Sequence, residues 1–173
     1  MSLLTQWQEK QKKIDSAKVL SSLILQGGPF YENQNQWKCY YFNFTYSGSP
    51  PLSAISGKTP TKTMLLADTD KSQNWAWGDN YVGLRQCYVY AKNAFTLSTQ
   101  FWTDDAGRIC LNGNSVATSG SCTATNCTLN FIKGWNLVQI LFQEGGGGDA
   151  GYLSANLSTN SNIEAMYANK IYE

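Results

Sequence analysis

Past Pro29 the chain leaves helical spacing for alternation, and this switch constrains it more than any other feature. Lys38-Cys39-Tyr40-Tyr41-Phe42-Asn43-Phe44-Thr45-Tyr46 is aromatic and β-prone, and short runs of the same kind follow. Met64 to Ala67, Leu84 to Ala91, Phe95 to Trp102, Arg108 to Leu111, Thr128 to Ile132, Trp135 to Phe142 and Tyr152 to Leu157 each read as a strand. In the third of these, Phe95, Leu97, Thr99 and Phe101 share one face. Asn112-Gly113 suits a two-residue hairpin turn with left-handed φ values. The continuous apolar run of Trp135 to Phe142 predicts a central strand covered on both faces. Ser47 to Pro60 reads as a Ser/Gly/Pro loop. About eight short strands broken by frequent turns predict an all-β protein, an antiparallel sandwich or jelly roll spanning 29–173.

The preceding segment differs. Thr5-x-x-Gln8 reads as a capping box, and Gln6 to Gln26 is rich in Gln, Lys, Leu and Ala before Gly27-Gly28-Pro29 stops it. Trp7, Ile14, Ala17, Leu20 and Ile24 fall at helical spacings, with Lys10 and Gln11 interrupting the stripe. Residues 1–28 are therefore expected to form an N-terminal α-helix, packed on its own domain or used for docking or oligomerisation, a trimer included. The polar tail from Ser158 to Glu173 reads as a last strand or an arm.

Composition removes several function classes. Thirteen basic and twelve acidic residues leave a net charge of +1, without the basic footprint of a nucleic-acid binder. With no histidine, His-based triads, haem ligation and the usual His-held catalytic zinc sites are excluded. MSLLTQWQEKQKK is not a secretory signal, and Val19 to Leu25 is far too short to span a bilayer, so either cytosolic synthesis without membrane insertion is expected or the sequence is a piece of a longer chain. Cys39, Cys87, Cys110, Cys122 and Cys127 form no disulfide framework. The first three sit in apolar runs and read as buried thiols; Cys122 and Cys127 are close enough to staple a hairpin in an oxidising setting.

Several motifs bear on chemistry. Gly146-x-Gly148-x-x-Gly151 has the letters of a dinucleotide fingerprint, but a strand rather than a helix follows, so nucleotide binding is rejected. Gly145 to Gly148 reads as a loop at the sheet tip. Asp68-Thr69-Asp70 opens like a calcium loop, yet Ser72 and Gln73 stand where that loop needs an acid or amide and a glycine, so an EF-hand is rejected. In Trp75-Ala76-Trp77-Gly78-Asp79-Asn80-Tyr81, rings beside short polar side chains suit sugar binding. Trp75 and Trp77 stack on C–H faces, while Asp79 and Asn80 take hydroxyls; the alternative is that both tryptophans are core. Thr103-Asp104-Asp105-Ala106-Gly107-Arg108 places two carboxylates side by side. They repel unless a hard cation or local amides compensate.

The run Thr103 to Gly113, then Gly134-Trp135-Asn136-Leu137-Val138-Gln139-Ile140-Leu141-Phe142-Gln143-Glu144-Gly145-Gly146, then Ala150-Gly151-Tyr152-Leu153, resembles the protective-antigen-type β-sandwich of flocculin adhesins, glycosidase inserts and bacterial toxins. The likeness covers roughly Trp75 to Leu157. It implies that Asp104 and Asp105, often joined by a cis peptide in such lectins, hold calcium that binds sugar hydroxyls, with Asp149 a candidate further ligand. Ala106-Gly107 departs from the commoner acid-acid-Gly-Val spelling. A helical lead-in without a signal peptide also resembles pieces of phage virions. The expected role is non-enzymatic: a virion-associated structural protein (fibre, tail appendage or capsid decoration) facing the outside and contacting virion proteins or itself through residues 1–28. The alternative is a calcium-dependent carbohydrate-binding adhesin module that meets a cell-surface glycan. A glycoside hydrolase accessory domain ranks behind both. Removing residues 1–28 should leave a folded monomer by sedimentation; an unchanged oligomer would refute an assembly role for that segment.

Overall fold

Alternation in the sequence becomes alternation in burial. The computed structural model describes residues 34–71, 78–120, 122–147 and 151–168. All but Gln34 belong to the unit Asn35–Glu173. The expected helix over 1–28 lies outside the described residues. These hold ten strands: β1 (Gln36–Phe42), β2 (Lys62–Ala67), β3 (Tyr81–Ala91), β4 (Phe95–Thr103), β5 (Ala106–Leu111), β6 (Asn114–Ser119), β7 (Thr125–Phe131), β8 (Gly134–Glu144), β9 (Gly151–Leu153) and β10 (Ile163–Tyr167).

Two antiparallel sheets result. The larger runs β2-β1-β3-β8-β5-β6, and β10 also pairs with β3. β1 takes Val82 to Gln86 of β3, and β10 takes Tyr88 to Ala91, so the two lie end to end along one long strand. The smaller sheet runs β7-β4-β9. Between them lies an apolar core that includes Trp37, Val89, Phe101, Ile109, Leu129, Phe131, Val138, Ile140, Leu153 and Met166. In β4, Phe95, Leu97 and Phe101 turn inward to this core while Thr96, Ser98 and Gln100 face water.

β8 is central, between β3 and β5. Its two-sided apolarity has a specific cause. Inward Val138 and Ile140 meet the small sheet, whereas outward Leu141 joins Phe42, Val82, Leu84 and Cys110 in a second cluster. Phe44, Tyr46, Leu52 and Ile55 cover that cluster. The β-prone run expected to reach Tyr46 ends as a strand at Phe42, so Phe44 and Tyr46, with Leu52 and Ile55 of the segment read as a plain loop, form a lid for the outer face, with a 3-10 turn at Leu52–Ile55. Tyr152 to Leu157 was expected as one strand. Pairing with β4 ends at Leu153, and a 3-10 turn at Leu157–Thr159 then drives Leu157 into the core. The hairpin at Asn112-Gly113 forms with φ values of 52° and 81°.

Two glycines make room for Phe142 of β8: Gly83, its cross-strand partner in the large sheet, and Gly151 in the small sheet. A Cβ on Gly83 would lie 2.1 Å from Phe142 Cζ, and one on Gly151 would lie 2.6 Å from Phe142 Cδ1. The Phe142 ring occupies the space that both missing side chains leave. Gly83→Ala should therefore cost about 1–3 kcal/mol by overpacking. In a double-mutant cycle read by urea unfolding, adding Phe142→Leu should recover part of that loss. Strictly additive losses would mean the ring does not set the gap.

Candidate functional site

Four connections gather at one end of the sandwich. β3 begins where β8 ends (Tyr81 pairs with Glu144), β5 begins beside Gln143, and β4 ends where β9 begins (Thr103 pairs with Gly151). The β1–β2, β4–β5, β6–β7 and β8–β9 connections therefore share this end, and the β2–β3 connection, which leaves β2 farther along the sheet, arrives at it at Tyr81. The Asp104-Asp105 pair is the corner where the chain leaves the small sheet for the large one. The corner is tight: Asp105 has a φ of 28°, and a Cβ on Gly107 would lie 2.3 Å from Thr103 Cγ2. That contact explains why glycine stands at 107.

Each corner carboxylate is committed to donors. Asp104, nearly buried, accepts the Asp105 N–H at 2.9 Å and the Cys122 S–H at 2.7 Å, both on Oδ1. Asp105 Oδ2 accepts the Gly145 N–H at 2.6 Å and Gln143 Nε2 at 3.5 Å. A Cβ on Gly145 would fall 2.8 Å from that same Oδ2, so the carboxylate sits where only glycine leaves room. Next along, buried Glu144 accepts the Gly146 N–H at 2.7 Å. Charge-assisted bonds to amides of this kind offset the repulsion between neighbouring acids.

The expected site residues distribute unevenly. Asp104 and Asp105 lie together at the loop end. Exposed Asp79 lies nearby, its Cγ 3.8 Å from where a Gly146 Cβ would be, and exposed Asn80 follows with a left-handed φ of 61°. Trp75, Trp77 and Asp149 lie outside the described residues. Sequence reasoning missed the Trp102–Tyr152 pair, which stacks with centroids 5.6 Å apart and an 18° interplanar angle next to the corner. It also missed Cys122. The proposed Cys122–Cys127 staple is not formed: no disulfide joins any cysteine, and Cys127 points into the core. Cys122 instead reaches Asp104, because β6 pairs with β5 and β7 with β4, which swings their connection over the corner. Nothing in the local sequence signals that.

Asp104, Asp105 and Cys122 each offer a ligand atom within 4.8 Å of the others. Two carboxylates and a thiol are compatible with a divalent cation. They suit calcium only in part, since calcium takes six to eight oxygens and has no use for sulfur. The peptide between the two acids is trans, unlike the cis link that the resemblance implies.

Behind the site lies a buried polar knot, also missed. Arg85, fully buried on β3, stands 4.9 Å from the Trp37 ring and donates to the carbonyls of Gly151, Ala67 and Asp70 at 3.1–3.4 Å. Asp68 Oδ1 accepts the Trp37 indole N–H at 2.8 Å, and its Oδ2 accepts the Ser158 N–H and hydroxyl, each at 2.8 Å. Lys71 Nζ donates to the carbonyls of Asp68 and Leu153. Burial holds the Lys71 ammonium below its usual pKa. The region rejected as an EF-hand is therefore an anchor for the β2–β3 connection.

No protein-family model matches the sequence, and no curated protein matches it significantly. Solved structures with a similar chain path include the PA14 domain of the MpAFP antifreeze protein, at 18% identity and a TM-score of 0.46, covering 76% of this chain and 87% of that one. The PA14 sugar-binding domain from an RTX adhesin gives 14% identity and a TM-score of 0.43 over 69% of this chain and 94% of that one. The epithelial adhesin 9 A domain from Candida glabrata, in complex with Galβ1-4GlcNAc, gives 7% and 0.43 over 68% and 77%. Two of these three are adhesin domains by name, and the likeness is remote.

Thiol chemistry separates Cys122 from the rest. Burial pushes Cys39 up to about 12 and Cys127 up to about 11, and raises Cys87 and Cys110 as well. Cys122 alone of the five is exposed. A native-state titration with a disulfide reagent at pH 8 should label one thiol quickly, and Cys122→Ser should abolish that phase. Fast labelling of a second thiol would contradict the described core.

Proposed function

We propose that this chain is a non-catalytic carbohydrate-binding module whose contact surface is the loop end around Asp79, Asn80, Asp104, Asp105 and Gly145 to Gly147. The observation that carries this reading is the clasp between the Asp105 carboxylate and the Gly145 amide. It brings an acidic corner and a side-chain-free glycine loop together at an accessible end, beside the stacked Trp102 and Tyr152. Such a rim combines acceptors for hydroxyls, a backbone that a ring can approach closely, and an aromatic edge. A cation at Asp104 and Asp105 would add direct ligation of sugar hydroxyls; calcium is the ion that the family resemblance implies. Trp75, Trp77 and Asp149 belong to the connections that frame this rim and are proposed as further contacts.

Binding is favoured over hydrolysis by how the two acids are used. Glycoside cleavage needs carboxyls flanking the scissile bond, one of them as a proton donor. Here both sit on one corner and accept backbone amides. Attachment to a virion or to a second copy through residues 1–28, and an outward-facing location, involve residues outside those described. No feature of the sandwich favours them over the glycan reading.

A glycan array probed with the full chain is the direct test. Binding should be selective, and Asp105→Asn should weaken it at least tenfold while the Tm falls by only a few degrees. An array with no signal, with or without added divalent cations, would sink the proposal.

A further inference from the structure

We propose that Asp104, Asp105 and Cys122 form a site for a thiophilic divalent cation of the zinc class rather than for calcium. The inference deepens the cation part of the reading above and holds whether or not a glycan is the partner. Three observations converge on it.

First, the donors come from separate connections. The acids sit on the β4–β5 corner and the thiol on the β6–β7 connection, yet all three ligand atoms lie within 4.8 Å of one another. Second, the thiol is exposed and already aimed at the acids: Cys122 Sγ lies 2.7 Å from Asp104 Oδ1. The other four cysteines are buried, so none competes for the ion. Third, the cradle depends on a missing side chain, since a Cβ on Gly145 would press on Asp105 Oδ2 at 2.8 Å.

The donor chemistry then selects the ion. Zinc accepts sulfur and carboxylate oxygen together, at about 2.3 and 2.1 Å, and is usually four-coordinate. Tetrahedral bonds of those lengths put sulfur and oxygen about 3.6 Å apart. The 2.7 Å S–H···O contact would therefore open as metal binds, while the 4.8 Å spread would close. The thiol proton leaves to solvent as the metal–sulfur bond forms. Three protein ligands leave a fourth position for water or another hydroxyl. Calcium gains nothing from the thiol, and two carboxylates supply at most four of the six to eight oxygens it takes.

The test is isothermal titration of the full chain with zinc chloride and, separately, calcium chloride, in reducing, chelator-free buffer. Zinc should bind one ion per chain and raise the Tm. Cys122→Ser and Asp104→Asn should each weaken zinc binding at least tenfold. Calcium should bind at least a hundredfold more weakly than zinc. Cobalt should give a thiolate charge-transfer absorption that Cys122→Ser removes. Should Asp104→Asn prove unstable, Asp105→Asn serves in its place. Zinc binding unchanged in Cys122→Ser, or calcium binding as tight as zinc, would overturn the proposal. The glycan array reports independently. An empty array with zinc bound removes the carbohydrate reading alone; selective glycans without zinc binding remove the cation site alone.

Discussion

A guanidinium sealed between two β-sheets has to be satisfied locally or the sheets cannot close. Moving such a charge out of water costs of order several kcal/mol even after relaxation, and burial correspondingly lowers the Arg85 pKa. The chain answers with a ring and three carbonyls. Trp37 covers one side of the guanidinium, and Ala67, Asp70 and Gly151 supply oxygens. Arginine remains charged under these conditions, and since its Nε has no hydrogen-bond partner among the described residues, the two terminal nitrogens and the ring carry the compensation. Asp68 extends the network by fixing the Trp37 indole and the start of the 3-10 turn at Ser158. Four separated stretches of chain thus meet at one desolvated cation, and Asp68 ties in a fifth at Ser158.

The candidate site inherits its geometry from this arrangement. Asp70 and Gly151 stand at the feet of the two connections that frame the loop end, and both feet are tied to Arg85. The acidic corner between β4 and β5 is fixed differently, by the steric fit of Gly107 against Thr103 and by the amide bonds of the two carboxylates. The opposite end of the sandwich is closed by amides: Asn136 accepts the Ile132 N–H and pairs with Asn112, whose side chain accepts the Leu137 N–H. One end is stitched shut by asparagines, and the other is lined with acids and glycines.

Much of the architecture was legible because it depends on short-range patterning. Period-two alternation placed β1, β3, β4 and β7, and Asn112-Gly113 marked a hairpin whose φ values no β-branched residue would accept. The continuous apolarity of β8 was read correctly as burial on both faces, although its outer cover was not seen: Phe44 and Tyr46 read as more of the first strand, and Leu52 and Ile55 lie in a stretch dominated by Ser, Gly and Pro. β6 was missed because Asn114 to Ser119 carries little apolar signal; it forms as the return arm of a hairpin. The end of β9 was missed because pairing with β4 stops at Leu153, which depends on a partner fifty residues away. Arg85 looked like one charge in an apolar run, and its role appears only when Trp37, Asp70 and Gly151 converge on it. Asp104 and Asp105 announced themselves by adjacency. Cys122 did not, because its proximity to them is set by strand order and not by spacing.

The corner at Asp104 and Asp105 joins the two layers, and this has a mechanical consequence. β4 and β5 both meet at it, each paired lengthwise with a neighbour, β7 and β8 respectively. A tether gripping the corner would pull nearly parallel to those strands. Such a force loads the ladders in shear, so that many bonds must yield together, instead of unzipping them one after another. A body built this way resists being drawn apart from that end.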